Sequence, residues 1–140
     1  MKKNNTENIE RQLRTVHDYD TFLKENNEEL TAIHPGSYLV ELIQARSLEK
    51  KDLIKAVNLN TGYIYEIFRN EKRPERDKLL RFAFPLKLNI EETQTMLKRC
   101  GYALLYGKNP RDSLIMFCIS RRKTQIETNI LLHKYGFEIL

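Results

Sequence analysis

The stretch Leu48-Glu-Lys-Lys-Asp-Leu-Ile-Lys-Ala-Val-Asn-Leu-Asn-Thr-Gly-Tyr-Ile-Tyr-Glu-Ile67 decides the fold of this chain. Its apolar members, Leu53, Ile54, Val57, Leu59, Ile64 and Ile67, are spaced for two short helices whose buried faces meet across a tight bend at 58–60. Asn58 tolerates the left-handed conformation such a bend demands, and Asn60 is a good N-cap for the second helix.

Upstream, His34-Pro35-Gly36 reads as a breaker before a helix at about Tyr38 to Arg46. Further back, Ile9, Leu13, Val16, Tyr19 and Leu23 recur at three- and four-residue intervals, which predicts an amphipathic helix over 6–25.

Downstream, residues 76–105 align without gaps on 111–140, nine of the thirty positions being identical. Arg76/Arg111, Asp77/Asp112, Leu79/Leu114, Phe82/Phe117 and Gly101/Gly136 are among them. The second helix of each unit opens on a capping box, Asn89-x-x-Glu92 or Thr124-x-x-Glu127, and closes at Gly101 or Gly136 as a Schellman stop. Asn109-Pro110-Arg111-Asp112 supplies an N-cap, a proline at the first helical position and an acid near the positive dipole end. These signals predict a duplicated helical hairpin.

Composition bounds the possible functions. One body is expected from 140 residues, with 31% charged and 41% hydrophobic side chains, five Gly and four Pro. No apolar run approaches the roughly 18 residues that span a bilayer, so a cytoplasmic protein without membrane contact is expected. Cys100 and Cys118 lie on apolar helical faces and are expected as buried free thiols. His17, His34 and His133 are dispersed, so neither catalysis nor a metal or other cofactor is expected. The net charge is +5, and its distribution is uneven. Residues 1–33 carry seven acids against five bases, whereas 46–81 carry ten bases against six acids, a balance suited to a polyanion.

From Leu42 to Leu88 the chain resembles the lambda-repressor-like (Xre/Cro-type) helix-turn-helix family. The matching residues are Arg46-Ser-Leu48, Asp52-Leu53-Ile54, Asn58-Leu59-Asn60, Ile64, Ile67, Asn70, Pro74 and Leu79-Leu80-Arg-Phe-Ala83. Lys50 stands where that family commonly has a Gln that braces the recognition helix, and Glu49 replaces its usual Ser or Thr cap. The resemblance implies an all-α bundle in which a recognition helix, about 61–69, lies in the major groove of double-stranded DNA. Base edges then fall to Thr61, Gly62, Tyr65 and Glu66, and phosphates to Lys50, Lys51, Tyr63, Arg69, Lys72 and Arg73.

The expected organisation is an N-terminal helix and linker (1–36), a helix-turn-helix DNA-binding domain (37–105), and a C-terminal hairpin (106–140) that repeats 71–105 and packs on the same body. A transcriptional regulator acting as a homodimer is the reading this favours. The candidate dimer faces are Ile9, Leu13, Val16 and Leu23, or the last turn at Phe137, Ile139 and Leu140, although ending on Glu138-Ile139-Leu140 also suggests a packed terminus. The alternative is a protein-interaction module, an antitoxin or adaptor, that meets a protein partner through 106–140.

Overall fold

The computed structural model describes residues 6–15 and 32–140, and all regular structure among them is helical. α1 (Thr6–Thr15) belongs to one compact unit, and Ile33–Leu140 form another. Within α1, Ile9 is half-buried and Leu13 exposed; Val16, Tyr19 and Leu23 lie outside the described residues. The second unit runs through α2 (Pro35–Ala45), α3 (Lys50–Val57), α4 (Thr61–Phe68), α5 (Arg76–Arg81), α6 (Ile90–Arg99), α7 (Pro110–Ser120) and α8 (Gln125–Lys134).

Pro35 and Gly36 do not precede the first helix of this unit; they begin it. Pro35 occupies the first turn, where its missing amide costs no helical hydrogen bond. Gly36 lets the bare backbone of α2 meet the end of α4, because a Cβ added there would sit 1.9 Å from the Ile67 carbonyl oxygen. His34 gives α2 no side-chain cap. Asn70 substitutes for it, accepting the Ser37 N–H at 3.2 Å and donating to Ser37 Oγ at 3.0 Å. The expected boundary at 36 therefore falls inside a helix, and the unit begins at Ile33, whose N–H donates to the Arg99 carbonyl at 3.1 Å.

The core joins both ends of this unit. Leu39, Ile43, Leu53, Val57, Ile64 and Ile67 are sealed together with Leu79, Leu80, Phe82, Met96 and Leu97, and Ile115 and Leu132 extend the same cluster into the last hairpin. Each buried side chain of this size contributes about 1.5–3 kcal/mol.

The duplication in sequence is a duplication in space. Both capping boxes form, with Glu92 N–H donating to Asn89 and Glu127 N–H to Thr124. Gly101 and Gly136 adopt φ 83 and 80, and Tyr102 and Phe137 each donate an N–H to the carbonyl five residues back at 2.8 Å. These are the two Schellman stops. Gln94 pairs through its side chain with both backbone groups of Leu105, and Asn129 does the same with Leu140. Leu140 is consequently buried, so the last turn does not offer it as a dimer face; Ile139 remains exposed.

The two hairpins also grip each other reciprocally. Arg76 makes a bidentate pair with Asp112 at 3.1 and 2.9 Å, and Arg111 one with Asp77 at 3.0 and 2.9 Å. Their lengths differ for a local reason: Pro85 stands where the second hairpin has Ser120, so α5 ends early and continues as turns to Lys87.

Both cysteines are buried and free, as expected. Burial pushes the Cys100 thiol up to about 11 and also raises that of Cys118. Neither is a thiolate at neutral pH, so iodoacetamide should label both thiols in denaturant and neither in the folded protein. Rapid labelling without denaturant would contradict the packing of α6 and α7.

Candidate nucleic-acid interface

The bend between α3 and α4 takes the conformation its residues predict. Asn58 adopts φ 57 and ψ 45, and Asn60 Oδ1 accepts the Tyr63 N–H at 3.1 Å. Leu59 packs on the core, and Arg81 donates to the Asn58 carbonyl at 3.1 Å, fixing the bend to α5. Ile64, Ile67 and Phe68 hold the inner side of α4. On its other side Thr61, Gly62 and Tyr65 are exposed, while Tyr63 and Glu66 are half-buried. Gly62 has open space except toward its own cap, since an added Cβ would lie 3.2 Å from Asn60 Oδ1.

The surrounding cations divide into two groups. Lys51 and Lys72 are exposed. Lys50 is engaged: its Nζ lies 5.7 Å from the centre of the Phe68 ring, which meets Tyr65 edge-on with centroids 6.1 Å apart. This contact joins the start of α3 to α4. Glu49, by contrast, makes no capping bond.

Arg69 and Arg73 both have protein partners. Arg69 grips Glu71 through two bonds of 2.9 and 3.1 Å, an exposed pair whose hydrogen bonding raises Arg69 and lowers Glu71 from their ordinary pKa values. Arg73 donates to the Cys100 carbonyl at 2.8 Å and stacks 4.3 Å from the centre of the Tyr102 ring. It is therefore an anchor between the loop after α4 and the end of α6. Glu66 contributes its backbone to the same loop, its carbonyl accepting from Glu71 and Lys72 at 2.8 and 3.2 Å.

One cation outside the expected set joins this surface. Lys78 on α5 places its Nζ 5.0 Å from the centre of the Tyr63 ring. Its sequence signal was weak, because the pattern of α5 is dominated by Leu79 and Leu80.

The arrangement thus offers the hydroxyls of Thr61, Tyr63 and Tyr65 on one helix with ammonium groups around it, which is chemistry for a hydrogen-bonding polyanion. Among the described residues no group of three His, Cys, Asp or Glu could hold a metal ion, and no helix is long and apolar enough to cross a membrane. Comparison with protein-family models, with curated proteins and with solved structures returned no match.

Proposed function

We propose that this chain is a sequence-selective transcriptional regulator that binds double-stranded DNA through a lambda-repressor-like helix-turn-helix, with α4 in the major groove. The observation that carries this reading is the open outer side of α4: Thr61, Gly62 and Tyr65 are exposed on a helix fixed from behind by Ile64, Ile67 and Phe68. Thr61 and Tyr65 then read base edges near the amino-terminal turn, and Glu66 accepts from a cytosine amino group. Lys50, Lys51, Tyr63, Lys72 and Lys78 hold phosphates. Arg69 joins them once Glu71 releases it. One recognition helix covers only a half-site, so the active species is a homodimer. The exposed Leu13 of α1 makes that helix the proposed dimer face.

Titration of a fluorescent duplex selected from genomic fragments, at several salt concentrations, tests this. The logarithm of affinity should fall linearly with that of salt, with a slope of about −0.9 per phosphate neutralised. Glu71→Gln should free Arg69 and steepen the slope by about one. Tyr65→Ala should narrow the gap between the selected duplex and a scrambled one, whereas Lys72→Ala should weaken both alike. Affinity indifferent to salt, or none at all, removes the proposal.

A second reading, a protein-interaction module on the same scaffold, is favoured by one observation. Phe117 and Tyr135 are exposed on the second hairpin, although the corresponding positions of the first are sealed.

A further inference from the structure

The duplication provides an internal standard for what each hairpin face is built to hold. In the first hairpin, α2 meets α6 at both of its ends. Arg46 at the end of α2 pairs with Glu92 at the start of α6, and Tyr38 at the start of α2 lies 5.7 Å below the Arg99 guanidinium at the end of α6. From α4, Phe68 adds its ring at 6.4 Å from that of Phe82. Under this cover Leu79, Phe82, Met96 and Cys100 are fully buried.

Thirty-five residues later the same four positions are Leu114, Phe117, Leu131 and Tyr135. Within the unit Ile33–Leu140 they line an open groove of about 390 Å³, with Phe137 beside them, and Phe117 and Tyr135 are 45% and 59% exposed. The hairpin thus retains the apolar surface that, in its twin, receives a helix. Isolated exposed apolar residues are ordinary, but a contiguous groove of aromatic and leucine side chains marks a binding surface.

Charge identifies the occupant. The Arg121 guanidinium stands 5.0 Å from the centre of the Phe117 ring, and Lys134 Nζ 5.6 Å from that of Tyr135, so each exposed aromatic has a cation over it. Residues 106–140 contain six Lys or Arg against three acids. Asp112 is held by Arg76, Arg111 by Asp77 and Glu127 by its own capping box, which leaves five cations against Glu138 alone. The uncompensated charge of the groove is positive. A second molecule of this chain docked through the same groove would bring the same two cations, Arg121 and Lys134, to the contact, a like-charge approach that costs affinity.

We infer that the groove between α7 and α8 docks an amphipathic helix of a partner protein, its apolar side on Phe117, Leu131 and Tyr135 and its flanking acidic residues on Arg121 and Lys134. This is independent of the DNA reading, which concerns α4.

The probe is a labelled synthetic helix of five turns, about 18 residues, with Leu at helical spacing on one side and Glu elsewhere. The comparison peptide has Lys in place of every Glu. Fluorescence anisotropy with the full chain should show the acidic peptide bound at least about tenfold more tightly than the basic one. Phe117→Ser with Tyr135→Ser should weaken it by at least about tenfold. Arg121→Glu with Lys134→Glu should reverse the preference, and because these two side chains lie on the exposed rim that result does not depend on the aromatic variant staying folded.

Failure of either peptide to bind, equal binding of both, or an unchanged preference in the charge-reversed protein would overturn the inference. So would self-association in sedimentation that the Phe117 and Tyr135 changes abolish, which would make a second molecule the occupant. Loss of duplex binding in the charge-reversed protein, without loss of peptide binding, would instead assign the rim to nucleic acid and overturn it too.

Discussion

Gly36→Ala is expected to destabilise the chain by at least about 3 kcal/mol, beyond the usual range for overpacking. The added methyl would lie 1.9 Å from the Ile67 carbonyl oxygen, 2.9 Å from its carbon and 2.5 Å from Asn70 Oδ1. Two of those three atoms are backbone and cannot rotate away, so α2 must separate from the end of α4. Separation exposes Leu39 and Ile43 on one side and Ile64 and Ile67 on the other, all at most 2% exposed now. It also disrupts the two bonds from Asn70 that substitute for an N-cap on α2. Urea unfolding followed by circular dichroism measures the effect, with Gly107→Ala as the control, since nothing lies within 4 Å of a Cβ at that position. A Gly36→Ala midpoint matching the wild type would refute the close approach of α2 and α4.

Arg76→Ala should cost about 3 kcal/mol, at the lower end for removing one partner of a buried pair because Arg76 retains some solvent exposure. The change deletes the bidentate pair with Asp112 and the bonds to the Ala103 and Leu104 carbonyls, at 2.9 and 2.8 Å. It leaves Asp112 as a carboxylate only 10% exposed in its side chain, with the hydrogen bond from the Tyr106 N–H unable to replace a charge. Asp77, the partner of Arg111, is 35% exposed in its side chain, so Arg111→Ala should cost less.

The pH dependence has a definite sign. Burial raises the Asp112 carboxyl, but Arg76 and the Tyr106 amide outweigh it and hold the group below its ordinary value. A depressed folded-state value adds stability that is complete above the unfolded value, about 3.9, and is lost as pH falls through the folded one. Wild-type stability should therefore drop on acidification below about pH 4. In Arg76→Ala the drop should be smaller or inverted, since burial then acts on Asp112 without its counter-ion.

Local and periodic features were legible in the sequence; the contacts that assemble them were less so. Asn58, Asn60, the two capping boxes and the two glycine stops act within five residues of themselves, so each could be read from its neighbours. The repeat was readable because its two halves kept Arg-Asp at their heads and Gly at their ends. Its mode of docking was not, as each Arg reaches the Asp of the other hairpin. Gly36 next to Pro35 looked like a chain breaker because the reason for it, the Ile67 carbonyl, lies 31 residues away. The resemblance puts Arg73 among the phosphate ligands, whereas Tyr102 and the Cys100 carbonyl, brought close only by folding, engage it in the structure. Lys78 shows the converse: its place beside Tyr63, fifteen residues earlier in the chain, is set by folding and has no local signal.

The crossed Arg-Asp pairs make the contact between the hairpins self-complementary. A lone hairpin with Arg and Asp adjacent at its head is self-complementary, so two separate molecules of it could form the same four bonds as an isologous dimer. Tandem fusion makes that association intramolecular, at an effective concentration of about millimolar. With each hairpin permanently mated, the first alone carries α2 to α4, and where it buries Cys100 the second exposes Tyr135.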